Sequence, residues 1–444
     1  RDTDRSRGLG DVYKRQVSKL HQMDTEEKMC GICGFTGYRQ DQKTVIERMM
    51  KAIEHRGPDS EGSFCREKIT LGFRRLSIID LEDGQQPMES ADGNLHIVFN
   101  GEIYDYKELR AELETFGISF CTHSDTEVLV NTLQQYGEKA LDKLRGMFGF
   151  AVWNEKEQTL MLARDFFGIK PVYYAEIDGH FVFASEIKSI LAFPGYERKV
   201  NQKALEQYLS FQYSPLEETF FKGIYKLMPG HMLLYKNGSY EIKTYFKPKL
   251  TPGQWDYKTN MAQLRSQLSE ILKDSVKHHM LSDVEVGAFL SGGVDSGYLA
   301  SSSGADQAFT VGFDEGDRYS EVNKAAKVAE KAGLKHHVKI ISKQEFWDAL
   351  PDVMYHMDEP LGDASAVALY FLSKEAAGHV KVVLSGEGAD ELFGGYNIYR
   401  EPEALKKVAW IPFVLRRAVK KLAAKLPDVK GRDFLILSLI HISE

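Results

Sequence analysis

The sequence predicts two folded parts in succession, an α+β part with mixed or antiparallel sheet over residues 29–223 and an α/β part with a parallel sheet over residues 257–434. Three observations lead there. Before residue 223, β-type runs at Leu95–Phe99, Phe148–Trp153 and Phe181–Ala184 stand between helical periods at Lys107–Phe116 and Thr126–Tyr136, where apolar residues recur every three or four positions. After residue 257, strand and helix patterns alternate, as crossovers between parallel strands require. Between the parts, residues 224–256 read as a hairpin, with Asn237-Gly238 as its turn, and a connector at Thr251-Pro252-Gly253.

The second part reads in order as helix Met261–His278, strand 284–290, a helix, strand Gln307–Gly312, helix Glu321–Ala332, strand 337–341, helices 344–357 and 365–377, and strand Val380–Leu384. Ligands in such a fold sit at the C-terminal ends of the strands. Residues 1–28 mix both charge signs without an apolar period and read as a non-native or disordered extension. Residues 435–444, an Ile/Leu/Ser run after the polar stretch Asp428–Asp433, read as a non-native tail. No internal repeat is visible.

Bulk composition narrows the class. The chain has 444 residues, 43% hydrophobic and 27% charged, with a formal net charge of -7, so nothing draws the whole molecule to nucleic acid or to an anionic membrane. No apolar stretch reaches the ~20 residues that span a bilayer. The basic stretch Leu405–Leu426, interrupted at Pro412, reads as a solvated helical face. Four cysteines, Cys30, Cys33, Cys65 and Cys121, are too few for a disulfide framework and favour a reducing compartment, with cytoplasm as the expectation.

The stretch Ser291-Gly292-Gly293-Val294-Asp295-Ser296 follows the apolar run 284–290 and precedes a helix. Paired glycines let backbone N–H groups converge on an anion, the helix N-terminus adds its positive end, and two serines add hydroxyl donors. Asp295 can hold Mg²⁺ against the same phosphates. No lysine stands where a G-x-x-x-x-G-K-[ST] loop would place one, which disfavours γ-phosphoryl transfer. A loop this short suits a pyrophosphate leaving in one piece, hence an ATP opened at its α-phosphate and a substrate that becomes an adenylate. The plainer reading is a Gly-Gly turn with two capping serines.

Met29-Cys30-Gly31-Ile32-Cys33-Gly34 admits three readings. As a C-x-x-C it is a redox or zinc half-site, although the doublets His278-His279 and His336-His337 lie in the other part of the chain. As an opening strand it holds small buried cysteines, which suits Cys33. If Met29 is an initiator that is removed, Cys30 gains a free α-amine beside its own thiol, and that amine is a general base for it. Downstream stand His55-Arg56-Gly57-Pro58-Asp59, Gly72–Asp80 with Arg75 inside it, Phe99-Asn100-Gly101-Glu102-Ile103-Tyr104 and His123-Ser124-Asp125-Thr126-Glu127. These supply an arginine to fork onto a carboxylate, an acid to pair an ammonium, and an amide with a glycine N–H to face an oxyanion.

In this order behind Cys30, these segments resemble the class II glutamine amidotransferase domain, an N-terminal-nucleophile hydrolase with an αββα sandwich. Adding Ser291–Ser296 and Ser385-Gly386-Glu387-Gly388-Ala389-Asp390-Glu391, the chain resembles the glutamine-dependent asparagine synthetase family from Met29 to about Phe434. The resemblance implies an ATP-pyrophosphatase fold for the second part. It implies Cys30 as the nucleophile that forms a glutamyl thioester, with Asn100 and Gly101 as the oxyanion hole. Arg75, Ile78, Asn100, Gly101, Glu102 and Asp125 would hold glutamine. Leu290, Ser291–Ser296 (Gly292, Gly293, Val294 and Asp295 included), Val311, Ser385 and Gly386 would hold ATP, with Asp295 and Asp390 on Mg²⁺ and Glu387 assisting attack on a β-aspartyl-adenylate. Asp358-Glu359-Pro360 and Asp363 either approach the aspartate site or start a helix, and the residues do not choose between these.

The implied partners are glutamine, aspartate and ATP, with no nucleic acid and no membrane; a homodimer stays open. Cys30 acts this way only if translation starts at Met29 or residues 1–29 are removed. The family continues past this point into a helical region, so the second part is expected to be incomplete. The rival readings are a β-lactam synthetase-like cyclase, against which the Cys30, Arg75 and Asn100-Gly101 set argues, and a fragment with glutaminase activity only or none.

Overall fold

The computed structural model describes residues 29–249, 261–314, 321–396 and 399. The chain forms two compact units, one ending at Ser385 and the other beginning at Gly386. The connector Thr251-Pro252-Gly253, the basic stretch Leu405–Leu426 and both expected non-native ends lie outside the described residues.

The first part has β1 (Gly31–Thr36), α1 (Gln42–Lys51), β2 (Ser60–Cys65), β3 (Ile69–Arg75), β4 (Met88–Glu89), β5 (Leu95–Ile103), α2 (Tyr106–Thr115), α3 (Asp125–Tyr136), β6 (Gly146–Asn154), β7 (Thr159–Arg164), β8 (Tyr173–Ile177), β9 (His180–Ala184), α4 (Ile187–Leu191) and α5 (Gln202–Phe211). Then come β10 (Ile224–Lys226), β11 (His231–Lys236) and β12 (Ser239–Thr244). One sheet runs β10-β8-β9-β1-β3-β2 and the other β12-β11-β7-β6-β5-β4. Every named pair in them is antiparallel.

Three buried layers make this an αββα sandwich. Ile46 and Met49 of α1 and Ile187 and Ile190 of α4 pack on the outer face of the first sheet, against Cys33, Phe35 and Val182. Ile32, Phe73, Val98, Leu162 and Phe183 fill the space between the sheets. Leu109 of α2 and Val128 and Leu129 of α3 close the far face of the second sheet over Ile97, Phe99 and Phe150. With helices outside and a second sheet inside, central strands are covered on both faces, which is why β1 is buried throughout and its sequence is apolar or small rather than alternating. The stretch set apart by sequence as hairpin and connector joins these layers: β10 pairs with β8, and β11 pairs with β7.

The second part begins with α6 (Met261–His279), β13 (Val286–Phe289), α7 (Val294–Ser302), β14 (Gln307–Phe313), α8 (Val322–Ala332) and β15 (Lys335–Ile341). It continues with α9 (Lys343–Met357), α10 (Ser365–Ala377), β16 (Val382–Leu384) and α11 (Ala389–Phe393). Its sheet is parallel in the order β15-β14-β13-β16. Ala300 of α7 and Ala325 and Ala329 of α8 pack on one face, and Val353 of α9 and Val367 and Phe371 of α10 belong to the core on the other. Small alanines let α7 and α8 approach the sheet closely. Chain order reverses beside β13, which has β14 on one side and β16 on the other, and such a switch point opens a crevice at the strand C-termini. No described helix is long and apolar enough to cross a membrane.

Candidate active site

Cys30 sits immediately before β1, and the strand pleat decides what the C-x-x-C can be. Residues three apart on a strand point to opposite faces. Cys30 packs toward the core between the sheets, whereas Cys33 is fully buried under the helices of the outer face. They cannot share a metal or form a redox pair, and burial pushes the Cys33 thiol up to about 12. The Cys30 thiol meets the Leu76 backbone on both sides: the Leu76 amide donates to Sγ at 3.4 Å, and the thiol donates to the Leu76 carbonyl at 3.5 Å. Burial raises its pKa above the ordinary thiol value, opposed by the Leu76 hydrogen bond and by the charges of Lys170, Arg56 and Arg75.

The Cys30 backbone is anchored separately. Arg56 Nε donates to the Cys30 carbonyl at 2.9 Å, and its Nη1 donates to Glu186 Oε1 at 2.8 Å. Burial alone would raise the Glu186 carboxyl, but the hydrogen bond from His55 and the charges of Arg56 and Lys188 hold it well below the usual range. Glu186 is therefore an anion on which two cations are fixed.

One small pocket is lined by Cys30, Arg75, Ile78, Gly101, Glu102 and Asp125 together with Gln86 and Thr126. Asn100 stands beside it in β5, 1% exposed, with its Nδ2 donor unpaired among the described residues. A buried amide left this way costs about 1–3 kcal/mol, so it is an expensive feature unless a ligand completes it. Gly101 is required by close approach, because a Cβ there would run into the Met147 carbonyl and lie 2.8 Å from the Phe148 Cα across the β5–β6 pairing. Its main chain is thus kept open to the pocket.

Two carboxyls face the same space. Burial pushes Glu102 up to about 7, with Lys170 lowering it and Asp125 raising it further. Asp125, which opens α3 behind the Ser124 cap, is pushed up to about 6 by burial although the Ile103 amide donates to it at 3.0 Å. Lys170 offsets only part of the cost of burying this pair, which suits an incoming ammonium. Arg75 is already engaged, since its guanidinium donates to the carbonyls of Leu81 at 3.3 Å, Ile79 at 3.4 Å and Asp80, which folds residues 76–84 over the pocket. A carboxylate would share or displace these carbonyls.

At the switch point of the parallel sheet, the loop leaving β13 is closed by its serines. Ser296 Oγ accepts from the Ser291 amide at 3.2 Å and lies 3.0 Å from Ser291 Oγ, which in turn accepts from the Gly293 amide at 3.3 Å. Gly292 has φ +80°, and a Cβ on it would sit 2.8 Å from the Lys324 Cβ and 2.9 Å from the Ala325 amide. The loop itself has no lysine, yet α8 brings Lys324 alongside it. Asp295 lies in the exposed first turn of α7. Leu290 is buried, its carbonyl accepting from Thr310 Oγ1 at 2.6 Å, and Val311 packs with the α9–α10 core. Ser385 follows β16, whose Leu384 pairs with Ala288 of β13. Gly386, Glu387 and Asp390 belong to the second compact unit, where Gly388 at φ +88° caps α11 and Asp390 stands in its first turn. An oxygen-only donor at Asp295 suits a hard cation such as Mg²⁺.

Asp358 and Glu359, left open by sequence, bind the first part of the chain. Asp358 Oδ2 accepts from the Ile187 amide at 2.7 Å and its Oδ1 pairs with Lys188 at 3.1 Å; Glu359 accepts from the Phe220 amide at 2.7 Å. Sequence reasoning missed Gln86, whose amide pairs with both the N–H and the carbonyl of Phe99, as well as Lys170 and Glu186. None has a local motif, and only the sandwich brings Gln86 to the pocket, the Lys170 charge near Cys30 and Glu102, and Glu186 to Arg56.

The comparisons with known proteins divide the chain in the same order. Residues 29–246 match the family described as glutamine amidotransferase domain, and residues 267–435 match the family described as asparagine synthase. Asparagine synthetase (glutamine-hydrolyzing) 1 of Bacillus subtilis strain 168 is 44% identical over 418 residues, covering 91% of this chain and 65% of that protein. A putative asparagine synthetase of Mycobacterium tuberculosis H37Rv is 38% identical, with 94% and 68% covered. One from Methanocaldococcus jannaschii is 34% identical, with 94% and 86% covered. The chain thus spans about two thirds of the length of the first two of these relatives. By the αββα sandwich, the parallel-sheet part that follows it and these matches, the chain belongs to the glutamine-hydrolysing asparagine synthetase family.

Proposed function

We propose that this chain catalyses ATP-dependent amide formation, converting aspartate and glutamine to asparagine and glutamate through a β-aspartyl-AMP intermediate with release of AMP and pyrophosphate. The observation that carries this reading is the single pocket shared by Cys30, Arg75, Ile78, Gly101, Glu102 and Asp125, with the unpaired Asn100 amide beside it. Glutamine enters with its α-ammonium toward Glu102 and Asp125 and its α-carboxylate toward Arg75. The α-amine of Cys30, free once Met29 is gone, takes the thiol proton, and Sγ attacks the side-chain amide carbon. Asn100 Nδ2 and the Gly101 N–H receive the oxyanion. Ammonia departs with the proton returned to it, and water cleaves the thioester to glutamate.

In the second part, Ser291–Ser296 hold the polyphosphate while the aspartate β-carboxylate displaces pyrophosphate from the α-phosphorus. Ammonia attacks the β-aspartyl carbonyl and AMP leaves, with Glu387 accepting the surplus proton. Leu290, Val311, Ser385 and Gly386 flank the nucleotide in this reading. Asp295 and Asp390 would hold Mg²⁺, which when bound neutralises polyphosphate charge and favours departure of pyrophosphate. The four free thiols support a cytoplasmic setting.

The test is pyrophosphate release by the protein beginning at Cys30, followed with glutamine and ATP in the presence and absence of aspartate. Aspartate-dependent pyrophosphate with equimolar asparagine is expected. Glutamate production without any aspartate-dependent pyrophosphate sinks the ligase reading and leaves a glutaminase.

A further inference from the structure

The doublet His336-His337 is split by the pleat of β15, so its two rings serve different surroundings. His336 Nε2 meets Thr310 Oγ1 at 2.7 Å. His337 points the other way, toward Glu375 near the end of α10 and His379 in the turn before β16. One ligand atom from each of these three lies within 4.8 Å of the others. We propose that His337, Glu375 and His379 form a binding site for a divalent transition-metal ion of the zinc class, at the N-terminal edge of the parallel sheet and apart from the nucleotide loops at its C-terminal edge.

The surroundings are those of a ligand set rather than of a chance cluster. Glu285, just before β13, accepts from Gln307 Nε2 at 2.7 Å, which orients the amide so that its Oε1 faces His337 Nε2 at 2.8 Å. With Nε2–H donating there, the neutral ring keeps its lone pair on Nδ1. A carboxylate–amide–histidine relay of this kind fixes tautomer and ring angle for a metal. Phe309, fully buried, stacks on the His337 ring at 5.0 Å and 17°, and the His337 and His379 rings lie 4.0 Å apart. Two imidazoles and one carboxylate suit Zn²⁺ with one open position, and a nitrogen-rich set does not suit Mg²⁺. A plain helix-end ion pair, His379 Nε2 to Glu375 Oε1 at 3.6 Å, explains neither the relay nor the second ring. An ion here would tie β15 to the α10–β16 turn.

The untagged protein, freed of metal by chelation, is titrated with Co²⁺ by visible absorption and with Zn²⁺ by calorimetry. One ion per chain is expected, with d–d bands free of thiolate charge transfer. H337A and H379A should each abolish stoichiometric binding, and Q307L, which leaves all three ligands in place, should weaken it by ~10–100-fold without changing the far-UV spectrum. Absence of binding overturns the site, as does unchanged binding in the H337A/H379A double variant.

Discussion

Asn100 stands beside the pocket with a buried amide donor that packing does not satisfy among the described residues, and this separates its effect on chemistry from its effect on stability. Removing that donor takes away a desolvated polar group along with some packing, and these two changes oppose each other. Asn100→Ala should therefore leave Tm within a few degrees of the parent while glutaminase kcat falls by roughly 10²–10³, the usual loss for one oxyanion donor. A large drop in Tm with kcat preserved would make Asn100 a packing residue. The neighbouring carboxyls predict a pH dependence. Burial places Asp125 at about 6 and Glu102 at about 7, against ordinary values of 3.8 and 4.5. For an acid with a raised folded-state pKa, the native chain holds the proton more tightly than the unfolded one, so stability falls as pH rises from the ordinary value toward the raised one. An incoming ammonium reverses that cost only where the carboxyls are charged. Glutamine KM should thus rise as pH falls from 7.5 to 5.5, and the Tm increase given by glutamine should shrink over the same interval (about 5.5–7.5, bracketing the two shifted groups). In Glu102→Gln the upper inflection near 7 should vanish while the lower one persists; a KM flat across this range would contradict the assignment.

Loops and strand ends fix where these groups point, and at this scale the sequence was unevenly legible. Strands β5, β6 and β9 and helices α2 and α3 were readable because their apolar periods are the direct imprint of what covers them. The β13–α7 loop was readable because its glycines are demanded by local geometry, Gly292 by its positive φ and by the backbone of α8 against it. The pairing of β10 and of the β11–β12 hairpin with distant strands was not, since a hairpin carries its turn signal but not the identity of the sheet it will extend. Nor was the Arg56–Glu186 anchor under Cys30, whose members are 130 residues apart and whose residue types are common on any surface. The same local logic gives a test. Gly292→Ala combines an unfavourable φ with a methyl pressed on Lys324 and the Ala325 amide, so the loop must shift. ATP KM in the aspartate-dependent reaction should rise by at least ~10-fold while glutaminase activity with glutamine alone is unchanged. An unaltered ATP KM would show that this loop does not grip the nucleotide.

Across the whole molecule, the loop that covers the Cys30 pocket is also the one the second part of the chain takes hold of. Asp283 donates its amide to the Ile78 carbonyl at 3.1 Å and accepts from the Asp80 amide on its carboxylate at 2.8 Å, a two-point hook three residues before β13. Asp80 in turn accepts from the His123 amide at 2.8 Å, next to the segment that carries Asp125. Lys381, the residue before β16, donates to Asp59 at 2.8 Å and to the Ser77 carbonyl at 3.5 Å. The strands held this way are β13 and β16, whose opposite ends give rise to the loop at Ser291 and to Ser385. A strand is stiff along its length, so a displacement at its C-terminal loop is felt at its N-terminal hook. The exposed Lys381–Asp59 ion pair contributes little to stability by itself, about 0–1 kcal/mol, and removing it together with the Asp283 carboxylate should not unfold the protein. Their consequence should instead be seen in the linkage between the two reactions. In the Asp283→Ala/Lys381→Met double variant, glutaminase kcat with glutamine alone and asparagine formation from free ammonia should both stay within about twofold of the parent, because neither pocket loses a lining residue. The ratio of glutamate released to asparagine formed, measured with glutamine, aspartate and ATP all present, should rise at least about twofold, since glutamine is then hydrolysed without regard to the state of the second site. A ratio equal to that of the parent would mean that Asp283 and Lys381 merely join the two parts and that timing between the sites is carried elsewhere.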